Sequence, residues 1–160
     1  MIHFVFDLDD TLLFHQGDIN YRYICEDKEL SYYLSTLRYP KYVLTNGTKE
    51  HAAVLLDSMK ITDQFKCVYA REDMDPYMKP HPLCYQKIVK EIVTDKGSKN
   101  IILFFDDLLS NLQEAYNHNW ITIWIHPDSH LSSKYEFVDY AFPNIVTALI
   151  HFNKKAKIYT

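Results

Sequence analysis

Three carboxylates, Asp7, Asp9 and Asp10, follow directly on the apolar run HFVF at residues 3–6. Such a run reads as a strand bound for a core, and unpaired carboxylates buried behind it would be costly. Acids in that place must reach solvent or share a cation. Two other polar groups stand in the same relation to apolar runs: Thr45 and Asn46 follow YVL, and Asp106 and Asp107 follow NIILFF. Carboxylates and hydroxyls gathered at one rim suit a hard cation such as Mg2+, which prefers oxygen ligands. Zinc is not expected, because the eight histidines show no HxH or HExxH spacing and the three cysteines no CxxC pair.

These groups meet only if the chain lays its apolar runs side by side. β-Rich runs recur at HFVF, YVL, CVY, NIILFF and ITIWI. Between them lie EDKELSYYLSTLR, TKEHAAVLLDSM, HPLCYQKIVKEIV and LLSNLQEAYNHN, which suit helices. In the second of these, Ala52, Leu55, Leu56 and Met59 recur at three- and four-residue spacing and share one helical face. Nearly all-apolar strands alternating with helices predict an α/β fold whose parallel sheet is covered on both sides. In open sheets of that kind, ligands collect beyond the carboxyl ends of the strands. FVDYAF predicts an edge strand, PNIVTALIHF a closing helix with Pro143 in its first turn, and KKAKIYT a frayed tail.

Length and composition fit a single domain spanning residues 1–160, with 48% hydrophobic and 24% charged residues. A net charge of −4 gives no overall basic footprint for nucleic acid or an anionic membrane. Cys25, Cys67 and Cys84 are odd in number and widely spaced, which predicts reduced thiols. The longest apolar runs are too short to span a bilayer, and the chain opens on a strand pattern rather than a signal peptide. The expectation is a cytoplasmic protein in a reducing compartment, with no membrane partner.

DLDDT (7–11), LTNGT (44–48), MKPHP (78–82) and FFDDLLSN (104–111) resemble, in order, spacing and placement after strands, the four motifs of the haloacid dehalogenase superfamily of phosphohydrolases. The likeness covers roughly the first 125 residues. Its wording is similar to the branch containing pyrimidine 5′-nucleotidases. The resemblance implies a Rossmann-like three-layer α/β/α sandwich and a Mg2+-dependent phosphatase. It gives Asp7 the role of nucleophile, forming an aspartyl-phosphate, and of metal ligand. Asp9 would protonate the leaving group and then activate water, its backbone carbonyl touching the metal. Thr45 and the Asn46 backbone N–H would hold phosphate oxygens at a helix start, and Lys79 would neutralise nucleophile and phosphoryl group. Asp107 is favoured as direct metal ligand, with Asp106 bound through water or behind it, although the two neighbours could exchange roles. Thr11 would fix the turn after the nucleophile, and Asn111 would be a structural hydrogen-bonder near the metal loop. The residue types suit this chemistry, since phosphate esters need a nucleophile, a proton donor for the leaving oxygen and cations for the transition-state charge. Asp9 also argues for phosphate, because dehalogenase members of the superfamily lack an acid there.

Members of the superfamily usually draw specificity from cap domains. Roughly three dozen residues separate Asp7 from Thr45, and about as many separate Asn46 from Lys79, so neither gap holds a full cap. Residues 12–40 predict a flap-like hairpin with Gly17-Asp18 at its tip, then one helix. Pyrimidine nucleotidases carry a helical cap, so the nucleotide substrate stays open. An uncapped site would take a small phosphate, or a macromolecular one on a protein or nucleic-acid end, or be covered by a second copy of the chain. Tyr21, Arg22, Tyr23 and Arg71 are placed either to touch what lies beyond the phosphate or simply to face solvent. The alternative from another class is a catalytically weak binding or regulatory protein on the same scaffold. His81 reads as a helix-start residue, the Asp106-Asp107 pair as one that can also cap the following helix, and Tyr32, Tyr33, Tyr39 and Tyr42 as packing rather than a base-stacking platform.

Overall fold

A computed structural model of the protein describes residues 1–94, 97 and 99–156. Its strands are β1 (Ile2–Phe6), β2 (Lys41–Leu44), β3 (Cys67–Tyr69), β4 (Ile101–Asp106), β5 (Ile121–Ile125) and β6 (Tyr140–Phe142). Its helices are α1 (Lys28–Thr36), α2 (Lys49–Ser58), α3 (Arg71–Met74), α4 (Pro82–Ile92), α5 (Leu109–Asn117) and α6 (Ile145–Ala156). The strands form one sheet in the order β3-β2-β1-β4-β5-β6, and every neighbouring pair is parallel.

Alternation along the strands feeds two cores. Phe4, Phe6, Val43, Leu103, Phe105 and Ile123 bury against α1, α2 and α6, through Leu30, Leu34, Leu55, Leu56, Leu149 and Phe152. Phe6 and Phe105 stack with ring centroids 4.5 Å apart. On the opposite face, Val5, Leu44, Ile102, Phe104 and Trp124 bury against Tyr85, Ile88 and Ile92 of α4 and Leu112 and Ala115 of α5. Tyr85 is fully buried, and its hydroxyl donates to the Asn111 carbonyl at 2.9 Å, tying α4 to α5. The architecture is therefore a three-layer α/β/α sandwich of Rossmann-like type with no cap domain among the described residues.

Strand order reverses between β1 and β4, where the crossovers leave in opposite directions and a crevice opens at the carboxyl ends. Phe6 pairs with Phe105 there, and the Asp7 amide donates to the Phe105 carbonyl at 2.8 Å. Asp7 and Asp106 are thus set side by side by sheet register alone.

Three local expectations are corrected. Around Gly17-Asp18 there is no hairpin: Asp10, at φ +57°, turns the chain, and its carboxylate accepts the amides of His15 and Gln16 at 2.8 and 2.9 Å. A short Asp and a Gly tolerate such left-handed conformations, and Gly17 follows at φ +110°. The closing helix starts after Pro143: Asn144 caps it, its Oδ1 accepting the Thr147 amide at 2.9 Å, and it runs on to Ala156. The expected frayed tail therefore begins inside α6, and its residues 157–160 lie outside the described residues. Of the four tyrosines, Tyr42 is buried and Tyr33 and Tyr39 pack on the core, whereas Tyr32 is exposed.

Candidate functional site

The carboxyl ends of β1, β2 and β4 enclose a pocket of about 230 Å3 lined by Asp7, Asp9, Thr45, Asn46, Lys79 and Asp107, among others. Two cavities of about 640 and 680 Å3 flank the 12–28 segment and the start of α6. They are larger but gather fewer convergent charges, so chemistry rather than size marks the site. Asp7, Asp9, Thr45, Asn46, Lys79 and Asp107 line it together, and Asp106 lies buried behind them.

Lys79 is its centre. The ammonium donates to Asp7 Oδ1 and to Asp106 Oδ2, both at 2.7 Å, and its side chain is almost completely buried. It also lies 5.3 Å from the centroid of the Phe104 ring. Burial weakens the charged form of Lys79, but Asp106 and Asp7 outweigh that and raise its pKa. Asp106 is wholly buried; besides Lys79 it accepts the Leu108 amide at 2.8 Å and the Asn111 amide group at 3.0 and 3.1 Å. Asn111 thus holds Asp106 in place. Thr11 donates to Asp7 Oδ2 at 3.2 Å and lies 3.5 Å from Asp107.

One cation does not balance this group. Asp7, Asp106 and Asp107 each offer a carboxylate oxygen within 4.8 Å of the others, against the single Lys79 ammonium. Burial first, then the neighbouring acids, push the Asp7 carboxyl up to about 7 despite Lys79. Burial and the charge of Asp106 likewise push Asp107 up to about 7. Three crowded acids with a surplus of negative charge fit a divalent, oxygen-seeking cation.

The loop after β2 supplies the opposite wall. Thr45 is buried, and its Oγ1 accepts the Gly47 amide at 3.0 Å. The Asn46 side chain donates to the Lys79 carbonyl at 2.8 Å and accepts the Lys79 amide at 3.1 Å, stapling the two loops together. Arg71 donates through Nε to the Asn46 carbonyl at 3.0 Å, so it braces this loop. Arg22 and Tyr23 are exposed beyond the pocket. His81 starts α4, its Nδ1 accepting the Leu83 amide at 3.2 Å.

Sequence reasoning missed two residues. His51, in the first turn of α2, places Nε2 2.8 and 3.0 Å from the two Asp9 oxygens. His15 places Nε2 2.9 Å from Asp9 Oδ1. Burial opposes a charged His15, but its bond to Asp9, the charge of Asp10 and the Gly17 carbonyl prevail and raise its pKa. Neither ring sits at a metal-ligand spacing in the chain, so only the folded topology reveals them.

Comparison with known proteins places the fold and the family. The model of the haloacid dehalogenase-like hydrolase family matches residues 26–119. Among solved structures, the L-2-haloacid dehalogenase from Xanthobacter autotrophicus superposes with a TM-score of 0.62 at 15% identity, over 82% of this chain and 62% of that one. The present chain thus spans about three fifths of that dehalogenase. A HAD phosphatase from Thermococcus onnurineus gives a TM-score of 0.62 at 21% identity, over 81% and 57%. An uncharacterized protein from Listeria monocytogenes serotype 4b gives 0.65 at 18% identity, over 97% and 99%. The sequence matches no curated protein. No helix among the described residues is long and apolar enough to cross a membrane. With the family model covering more than half of its length, the chain belongs to the haloacid dehalogenase-like hydrolases.

Proposed function

We propose that the protein is a Mg2+-dependent phosphomonoesterase that works through an aspartyl-phosphate on Asp7. The observation that carries this reading is Asp9 beside Asp7 at the same pocket. A halide departs as a stable anion and needs no proton, whereas an alkoxide departs far more readily when an acid protonates it. In the first step an Asp7 oxygen attacks phosphorus, the bond from phosphorus to the leaving oxygen breaks, and Asp9 gives that oxygen its proton. In the second, Asp9 takes a proton from water as the water oxygen attacks phosphorus. The bond to Asp7 breaks, phosphate leaves, and both acids return to their starting state. Thr45 and the Asn46 amide hold phosphoryl oxygens, and Lys79 offsets their charge.

Asp7 and Asp107 would ligate Mg2+ directly, with the Asp9 carbonyl. Asp106, whose oxygens are committed to Lys79, Leu108 and Asn111, would act from behind. Bound there, the ion would spread the negative charge that builds on the transferring group. With no cap domain among the described residues, the pocket is open to phosphate on a small nucleotide-like molecule or on a macromolecular end.

The test pairs two chemistries. With Mg2+, the protein should release phosphate from para-nitrophenyl phosphate and from some members of a panel of nucleotides, sugar phosphates, phosphopeptides and phosphorylated oligonucleotides, and no halide from 2-chloropropionate. Halide release without phosphate release would overturn the reading. No release of either would favour a binding or regulatory protein instead.

A metal prediction follows from the raised acids. Without metal, the folded protein holds protons on Asp7 and Asp107 more tightly than the unfolded chain, whose carboxyls titrate near 3.8. Their contribution to stability is present at low pH and is lost as pH rises from about 4 to about 7. Mg2+ competes with those protons, so its stabilising effect grows over the same window. Millimolar Mg2+ should raise the melting temperature by about 3–5 °C near pH 8 and by much less near pH 5. An equal shift at both pH values, or an unchanged shift in Asp107→Asn, would contradict the assignment.

A further inference from the structure

We propose that His15 and His51 are positioning residues that clamp Asp9 between them and hold it ready to deliver its proton to the leaving oxygen. The inference rests on the phosphatase reading above and assigns a role to two side chains that reading does not use.

The clamp is built from two distant segments. Thr48 caps α2 and accepts the His51 amide at 3.1 Å, which fixes the turn that carries the His51 ring. The ring then comes close to the chain at Gly47: a Cβ placed there would come 2.7 Å from His51 Cδ2, 3.3 Å from Thr45 Oγ1 and 3.6 Å from Asp9 Oδ2. Glycine at this position lets the ring approach Asp9. His15 comes from the other side, on the turn that Asp10 folds by accepting the His15 and Gln16 amides. The side chains of His15 and His51 are 17% and 19% exposed, so both contacts are shielded enough to orient Asp9.

Counting hydrogens gives the clamp a direction. The Tyr21 hydroxyl lies 2.7 Å from His51 Nδ1. A hydroxyl donating there leaves the hydrogen of the neutral ring on Nε2, aimed at both Asp9 oxygens. His15 Nδ1 lies 2.8 Å from the Gly17 carbonyl, which can only accept, so this nitrogen carries a hydrogen. The contact between His15 Nε2 and Asp9 Oδ1 then holds a single hydrogen, on the ring or on the acid. A donor from His51 and a shared hydrogen with His15 fix the rotamer of the Asp9 carboxyl. A carboxyl without the rings would turn freely about its last bond and spend little time facing the leaving group.

Leaving-group dependence tests this directly. A nitrophenolate leaves with little help, whereas an alkoxide depends on the proton. His51→Ala and His15→Ala should each reduce kcat on an alkyl phosphate by at least about tenfold more than on para-nitrophenyl phosphate, with KM within about twofold. His51→Gln, which returns an N–H donor near the Nε2 position, should recover most of the loss. Tyr21→Phe, which removes one hydroxyl and keeps the ring, should shift the same ratio in the same direction by a smaller factor. Equal losses on both substrates would mean that the histidines only support the loop, and would overturn the proposal. So would histidine variants that behave as wild type while Asp9→Asn loses the alkyl substrate; the phosphatase reading would then stand alone. A wild-type protein that releases no phosphate overturns both.

Discussion

Replacing Asp7 by Asn should abolish phosphate release, with kcat falling by at least about 10⁴-fold on every substrate of the panel. The substitution keeps the size of the side chain and an acceptor for the Thr11 hydroxyl, 3.2 Å away. It removes the charge that faces Lys79 at 2.7 Å and the nucleophilic oxygen that would bond to phosphorus. An amide oxygen in that place forms no stable acyl phosphate, so neither half of the reaction can run. Asp9→Asn provides the contrast. It leaves the nucleophile intact and takes away the proton carrier, so its loss should be about 10²–10⁴-fold in kcat on alkyl phosphates, with KM nearly constant. Steady-state phosphate release from both variants, with a melting curve to check the fold, makes the comparison. Asp7→Asn turning over within tenfold of the wild type would remove the nucleophile from the scheme.

Much of this arrangement was legible in the sequence, for a definite reason. ITIWI, YVL and IILFF are buried on both faces, so they read as continuous apolar runs, and β5 begins and ends where its run does. Polar residues at the carboxyl ends of such runs are easy to read off the chain, and parallel topology carries all of those ends to one rim. Asp7, Thr45 and Asp106 could therefore be placed together before any coordinates. Contacts made across the rim by side chains far apart in sequence could not. His15 and His51 reach Asp9 from opposite sides, and no spacing in the chain encodes that meeting. The segment after Leu13 misled for a related reason. Gly17 suggested a hairpin tip, but Asp10 takes the very amides that a paired strand would have used. The short helix α3 was equally silent; Asp73 caps its own turn by accepting the Ala70 amide at 3.0 Å and also meets Lys49, which comes from another element. The place of Asn46 behind an apolar run was visible in the sequence, while its reciprocal bonds to the Lys79 backbone emerge only in the fold.

The buried ion cluster leads to the second large effect. Lys79→Met keeps the length and apolar body of the side chain and deletes its charge, leaving Asp7 and Asp106 facing each other without a cation. Breaking a buried pair from one side strands the partner charge, so the variant should lose about 3–5 kcal/mol at neutral pH, a large share of the stability of a domain this size. Lys79 lowers the Asp7 pKa, while burial and Asp106 raise it; without the lysine the acid binds its proton more tightly still. Above about pH 7 the folded variant therefore keeps a proton that the folded wild type has released, so the deficit grows as pH rises beyond that value and levels off below it. Mg2+ should restore part of the stability by supplying positive charge, yet not the activity, because the phosphoryl group also loses its fixed ammonium. Denaturant unfolding at two pH values, with and without Mg2+, measures all three effects. A deficit below about 1 kcal/mol at neutral pH, the range of an exposed pair, would mean that the cluster is already balanced without Lys79, and the case for a divalent cation at Asp7, Asp106 and Asp107 would weaken with it.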